Sequence, residues 1–131
     1  MASIDHLVYA VPDLDAGIEQ FAASTGVRPA FGGAHVGLGT HNALVSFGSC
    51  YLELIAPDPN QPEPSGPRPF GIDQLDGPTF VAFAVRPDPG DTIDALVARA
   101  AASGHDAGPI ADMQRATPDG GLLEWRLTMP S

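Results

Sequence analysis

Residues 4–26 have the sequence IDHLVYAVPDLDAGIEQFAASTG, and this stretch is the strongest indication of the fold. Its first residues are rich in β-branched and aromatic side chains and end at Pro12, which predicts a strand over 4–11. Asp13 is suited to cap a helix, because the apolar residues after it recur at the spacing of one helix face. Gly26 is suited to end that helix. The stretch therefore predicts a strand, a helix and a stop.

The same order returns in residues 79–104, TFVAFAVRPDPGDTIDALVARAAASG. A second apolar strand ends in a turn rich in proline and glycine, after which Asp91 or Thr92 can cap a helix. Gly104 can end that helix. Two units of one design predict a chain with internal pseudo-twofold symmetry.

Three further strand candidates follow the first unit, at 28–36, 41–48 and 50–57. Residues 58–78 are so dense in proline that neither a helix nor a central strand is expected there, and they form a linker. In the second unit, residues 121–129 form the third β-element and no fourth is found.

The predicted class is therefore α+β. Two βαβββ-type modules form a cupped mixed β-sheet with helices outside, and the second module is one strand short. We expect a single domain with module one at 1–57, the linker at 58–78 and module two at 79–131.

Composition excludes several classes of function. The 131 residues carry 6 Lys+Arg against 16 Asp+Glu, a net charge of −10, which argues against nucleic-acid binding and against anionic membrane surfaces. No apolar run is long enough to span a bilayer, and the N-terminus lacks the basic region of a signal peptide. The single cysteine, Cys50, excludes an internal disulfide. These features predict a cytoplasmic protein.

Two modules joined by a linker resemble the vicinal oxygen chelate superfamily, which includes glyoxalase I, extradiol dioxygenases and bleomycin-resistance proteins. The stretch GGAHVGLGTHNALVSFG (32–48), followed by YLELI (51–55), is similar to the glyoxalase-like domain family of that superfamily. MQRATPDG (113–120), which runs into LEWRL (123–127), is similar as well. The resemblance covers nearly the whole chain.

In metal-dependent members of the superfamily, each half supplies two ligands to one divalent metal such as Zn, Ni, Mn or Fe. The resemblance implies His6 and Glu53 as the ligands of the first half. The offset of 74 residues between the two units places Phe80 at the position of His6 in the second half. Phenylalanine cannot bind a metal. Glu124 aligns with the fourth ligand, but alternation along its strand directs Trp125 inward and Glu124 outward. We therefore predict a degenerate site with no tightly bound metal and no other cofactor.

The predicted ligand pocket lies inside the cup. Its candidate residues are His6, His35, Asn42, Glu53, Phe80 and Trp125. Glu53 lies between two leucines, where a carboxylate is disfavoured unless it faces a pocket, and beside a histidine it is a candidate general base. Ordinary structural roles stay open: His6 and Trp125 as core residues, and His35 with Asn42 in a solvated loop.

The sequence thus predicts a small-molecule-binding glyoxalase-like protein whose specific activity is unassigned. One alternative is a metal-dependent lyase, isomerase or dioxygenase, in which His35, His41, Glu124 or a partner chain completes the metal shell. The other is a resistance protein that sequesters an intact drug.

The predicted partner, besides a small-molecule ligand, is a second copy of the chain. Leu123, Trp125 and Leu127 lie on one face of a strand at an unpaired edge, and proteins normally cover such edges. We therefore predict a homodimer, with a symmetric contact near this edge or across the concave face. The alternative is that Phe70 and Ile72 of the linker fold back over the gap within one chain.

Overall fold

The computed structural model describes residues 2–129, and its elements follow the predicted order. Module one contains β1 (Ser3–Ala10), α1 (Leu14–Thr25), β2 (Ala30–His35), β3 (Thr40–Ser46) and β4 (Tyr51–Pro57). Module two contains β5 (Thr79–Arg86), α2 (Ile93–Ala102), β6 (Ile110–Ala116) and β7 (Leu122–Thr128). The linker contains a 3-10 helix (Pro69–Gln74), so the expectation of no helix there is wrong; Pro69 stands at its start, where the missing N–H breaks no hydrogen bond. The predicted α+β class is confirmed, and within residues 2–129 module two has one strand fewer than module one.

Both α-helices begin at the residues that the sequence singles out. The Asp13 carboxylate accepts a hydrogen bond from the backbone N–H of Ala16 at 3.0 Å, and Gly26 ends α1 in the left-handed region with φ of 76°. Of the two cap candidates for α2, Thr92 is the cap, because its hydroxyl accepts from the N–H of Ala95 at 3.0 Å. No helix within residues 2–129 is long and apolar enough to cross a membrane.

The strands form two sheets instead of one continuous cup. A five-stranded sheet has the order β2-β3-β4-β1-β5, with β1 parallel to β4 and antiparallel to β5, and β6 pairs with β7 in a separate sheet. Among the described strands, β5 pairs only with β1 and β7 only with β6, so no ladder joins them. The second sheet instead approaches module one through β6, which lies against β2.

The five-stranded sheet has two differently packed faces. On one face, α1 covers the main core, formed by Val11, Leu14, Ala43, Val45, Leu52, Leu54 and Ala56. The opposite face, which we call the inner face, carries His6, Val8 and Ala10 of β1, because alternate side chains of a strand point to opposite sides. The inner face is where the predicted pocket residues of module one lie.

The linker folds back onto part of this inner face. Ile72 is buried against Val8 and Ile55, and Phe70 packs at the edge of the same cluster. Arg68 holds the segment in place through a hydrogen bond from its Nε to the carbonyl of Gly39 at 2.8 Å. Phe70 and Ile72 therefore pack on module one, whereas the alternative drawn from the sequence placed them over the gap in module two.

The outer strand β5 is not covered in the same way. Phe80 and Phe83 remain 63% and 65% exposed, so the linker leaves these aromatic side chains in contact with solvent.

Candidate functional site

Four strands of module one bring His6, His35, Asn42 and Glu53 together on the inner face. Each residue comes from a different strand of the order β2-β3-β4-β1, so sheet formation itself assembles the group. We call these four residues the Glu53 cluster. His35, Asn42 and Glu53 are buried, and the His6 side chain is only 12% exposed.

Glu53 stands at the centre of the cluster, and its two carboxylate oxygens have different surroundings. Oε2 accepts a hydrogen bond from the side-chain amide of Asn42 at 2.8 Å and lies 3.2 Å from Nε2 of His35. Oε1 lies 3.6 Å from Nε2 of His6, beyond hydrogen-bond distance.

The Oε2 side is a closed polar network. Oδ1 of Asn42 accepts from the N–H of Gly33 at 3.2 Å, which directs the amide nitrogen of Asn42 toward Glu53. Nδ1 of His35 lies 2.9 Å from the hydroxyl of Thr40, which fixes the other end of that ring. Buried polar groups need hydrogen-bond partners, and a network in which all of them are paired is rigid. This network therefore holds Glu53 in one position.

The Oε1 side is open. The His6 ring stacks on Tyr51 with centroids 4.6 Å apart, and its Nδ1 lies 2.8 Å from a carboxylate oxygen of Asp5. Nε2 of His6 and Oε1 of Glu53 have no hydrogen-bond partner within residues 2–129. Every wholly buried polar side-chain atom of residues 2–129 has a hydrogen-bond partner. Because these two atoms have none, both must be in contact with solvent. We call these two atoms the open pair.

The electrostatics keep Glu53 charged. Burial raises the pKa of Glu53, but hydrogen bonds from His35 and Asn42 and the charges of His35 and His6 outweigh it, and the net pKa is lowered. Burial raises the pKa of Tyr51, and the carboxylates of Glu53 and Asp5 raise it further. At neutral pH the site therefore presents an ionised carboxylate beside a neutral phenol.

The other sequence candidates lie apart from the Glu53 cluster. Phe80 packs its ring on Tyr9 at 4.7 Å, on the face covered by α1. Trp125 and Glu124 line a cleft of about 700 Å³ together with Val36 and other residues. The structure thus joins the candidates of module one and leaves those of module two elsewhere.

These residues do not fit a resident metal of the four-ligand kind. The strand β5 places Ala84 opposite His6, so the second module offers no metal ligand at that point. Within residues 2–129, no group of three or more His, Cys, Asp or Glu side chains is arranged to hold a metal ion. His6 and Glu53 supply two donors, fewer than the three or four protein ligands of zinc sites. The predicted lack of a tightly bound metal remains a prediction.

Some partners of the cluster were not anticipated from the sequence. Asp5 as a partner of His6, and Gly33 as a donor to Asn42, give no signal in the chain because such pairings depend on side-chain direction. Alternation does place Tyr51 on the face of Glu53. Its stacking on His6 follows only from the parallel pairing of β1 with β4, where His6 lies opposite Tyr51.

The family follows from comparison with known proteins. The model of the glyoxalase-like domain matches residues 4–131, so the chain belongs to the glyoxalase-like domain family. No curated protein matches the chain.

Several solved structures share the fold of this chain. A hypothetical protein from Staphylococcus aureus has a TM-score of 0.69 at 19% identity over 96% of this chain, and the match spans 51% of that protein. Methylmalonyl-CoA epimerase from Mycobacterium tuberculosis has a TM-score of 0.57 at 21% identity, covering 97% of this chain and 88% of the epimerase.

A variant of the Streptomyces coelicolor methylmalonyl-CoA epimerase in complex with 2-nitronate-propionyl-CoA has a TM-score of 0.53 at 19% identity, covering 95% of this chain and 96% of that one. The family-model match confirms the resemblance to glyoxalase-like proteins that the sequence motifs indicated. At such identities the likeness concerns the fold alone.

Proposed function

We propose that this protein binds a small organic molecule on the inner face of module one, where the molecule contacts the Glu53 cluster. The observation that carries the proposal is the open pair. An ionised, nearly buried carboxylate oxygen and an imidazole nitrogen stand 3.6 Å apart, and within residues 2–129 neither has a hydrogen-bond partner. Such atoms form hydrogen bonds to a ligand at little cost, because the network behind them is already ordered.

In this proposal the metal site of the superfamily is degenerate. The first module keeps the two residues that correspond to metal ligands, and the second presents Ala82 and Ala84 beside them on β5. Ala84, opposite His6, is small and only partly buried, whereas Val8, opposite Ala82, is covered by Ile72 of the linker. A ligand can therefore approach the open pair from the β5 side.

Glu53 is the candidate general base. Its lowered pKa keeps it deprotonated at neutral pH, and Oε1 is the oxygen that can accept a proton, since Oε2 is engaged with Asn42. A lowered pKa makes it a weak base, which favours binding over rapid proton transfer. Trp125 and Phe80 are proposed as contacts only for a ligand large enough to extend beyond the cluster.

Metal analysis with binding measurements tests the proposal. Elemental content is measured for the purified protein and for His6→Ala, with the exposed His105→Ala as the matched control. NMR titration of the ¹⁵N-labelled protein with small carbonyl compounds is then compared across the same variants. We expect no stoichiometric metal, and ligand-induced shifts that His6→Ala and Glu53→Gln remove while His105→Ala retains them.

Two results would replace the proposal by another function. Stoichiometric zinc, nickel, manganese or iron that disappears in His6→Ala would favour a metal-dependent lyase, isomerase or dioxygenase. Binding of an intact cationic drug such as bleomycin, without dependence on His6 or Glu53, would favour a sequestering protein.

We also propose that the protein forms a homodimer through the outer strand β5. Phe80 and Phe83 are mostly exposed, and the outer edge of β5 has no strand partner among residues 2–129. Exposed edges pair readily with other strands, and pairing two copies of one edge about a twofold axis closes the assembly. Other large apolar side chains exposed on β1 and β5 are Ile4, Leu7 and Val85.

A further inference from the structure

One basic side chain of this acidic chain differs from the others in having no carboxylate partner among residues 2–129. All six basic residues are arginines. Every other arginine has a carboxylate partner: Arg28 with Glu19, Arg68 with Glu63 and Asp73, Arg86 with Asp5, Arg99 with Asp91, and Arg126 with Asp94. Within residues 2–129, Arg115 has none, and the hydrogen bond from its Nη1 to the carbonyl of Ala116 is weak, at 3.5 Å.

Arg115 is directed toward the Glu53 cluster. Its Nη1 lies 3.1 Å from the position that a β-carbon on Gly32 would occupy, and Oδ1 of Asn42 lies still closer to the same position. Its positive charge also acts on the phenol of Tyr51, the residue on which His6 stacks. The guanidinium is therefore beside the cluster, on the far side of Asn42 from Glu53.

Two glycines make this placement possible. A β-carbon on Gly33 would overlap the carbonyl oxygen of Ala116, so only glycine lets β6 come this close to β2. A side chain on Gly32 would displace Arg115 or Asn42. The close contact holds a half-buried guanidinium at the cluster and leaves its donors without a carboxylate among residues 2–129.

We propose that Arg115 binds an anionic group of the ligand, a carboxylate or a phosphate, while a neutral part of the same ligand faces the open pair. The inference rests on the proposed function of the inner face. A guanidinium offers five N–H donors in a fork that matches such oxyanions, and here no carboxylate of residues 2–129 occupies them. The ionised Glu53 repels an anion from the open pair, so the charges of the site determine the direction in which the ligand lies.

The test compares acids with their neutral amides. The ¹⁵N-labelled protein is titrated with propionate and propionamide, with phenylacetate and phenylacetamide, and with inorganic phosphate. We expect the anions to shift the backbone signals of Gly32, Gly33 and Ala116 and to bind about tenfold or more tightly than the amides. Arg115→Gln should remove this preference, and Arg99→Gln, which makes the same change in net charge on α2, should retain it.

The outcomes separate this inference from the proposed function. Equal binding of acids and amides that still depends on His6 would overturn the role of Arg115 and leave the proposed function standing. Anion binding that depends on Arg115 but not on His6 or Glu53 would support an anion site and contradict the proposed function. Binding of none of these probes at millimolar concentration, or unchanged anion binding in Arg115→Gln, would overturn the inference.

Discussion

At the scale of single residues, Glu53 shows how a carboxylate is kept charged inside a sheet. Burial alone would favour its protonated form, but Asn42 and His35 direct hydrogen-bonding groups at one oxygen. The cost of burying the charge is offset by the neighbours that the fold brings to it. The folded protein therefore binds a proton at Glu53 less readily than the unfolded chain does.

The first prediction concerns the pH dependence of stability. Because the pKa of Glu53 is lowered on folding, its contribution is fully present above the ordinary glutamate pKa and is lost as pH falls through the lower, folded value. Between about pH 6 and about pH 3, the urea midpoint of the wild type should fall more than that of Glu53→Gln. The remaining carboxylates are common to both proteins, so parallel curves would contradict the lowered pKa.

The second prediction concerns the donor to Glu53. Asn42→Asp keeps the size of the side chain but places a second carboxylate where an amide now donates at 2.8 Å. We expect the free energy of unfolding to fall by about 2–4 kcal/mol at neutral pH, and by less in mild acid, where one carboxyl is protonated and can donate again. Urea unfolding at both pH values measures this.

A matched control exists for that substitution. Asn60→Asp makes the same chemical change at an exposed position of the linker and should leave the stability nearly unchanged. A loss of stability in Asn42→Asp that is the same at both pH values would argue against like-charge repulsion as its cause.

At the scale of elements, the contact between β6 and β2 joins the two sheets. β5 and β7 share no hydrogen-bonded ladder in the described part of the chain, so this contact has a large part in positioning the second sheet. It depends on Gly33, whose backbone lies against the carbonyl of Ala116. A missing side chain is thus the feature that determines where β6 and Arg115 lie.

The third prediction follows from this close approach. Gly33→Ala should lower the free energy of unfolding by about 1–3 kcal/mol, because the added methyl group overlaps the Ala116 carbonyl. Gly66→Ala is the control, since nothing lies within 4 Å of its β-carbon position. Urea unfolding compares the two, and amide hydrogen exchange should show β6 opening more readily only in Gly33→Ala. Equal stability of both variants would mean that the contact can relax without cost.

At the scale of the whole molecule, the two modules meet through β1 and β5 and leave an apolar outer strand. β1 is flanked on both sides, by β4 and by β5, whereas β5 has a neighbour on one side only among residues 2–129. The charge of −10 keeps such molecules apart in general. A specific apolar contact at β5 must overcome that repulsion.

The fourth prediction tests the proposed dimer. Light scattering at micromolar concentration should give the mass of a dimer for the wild type and of a monomer for Phe83→Asp, because a buried carboxylate at the contact is strongly unfavourable. Phe31→Asp is the control, since Phe31 is 52% exposed on β2 at the opposite end of the sheet, and it should remain a dimer. A wild-type monomer over the whole micromolar range would contradict the dimer.

Signals in the chain were enough to predict the elements and the family. Strand and helix bounds follow from residues that lie a few positions apart, such as Asp13 before α1 and Thr92 before α2. The resemblance of 32–48 and 51–55 to glyoxalase-like proteins indicated the family, and it pointed to His6 and Glu53 as a pair. Such signals are local, or they are carried by a motif, and they do not require knowledge of the packing.

Which side chains meet depended on the tertiary packing alone. An irregularity in the pairing of β1 with β5 places Ala82 opposite Val8 but Phe80 opposite Tyr9, which turns Phe80 to the α1 face. A shift of one residue reverses the face of a side chain, and no count along the chain reveals it. The approach of Arg115 to Gly32 is equally hidden, because distant strands are brought together by packing and not by spacing in the sequence.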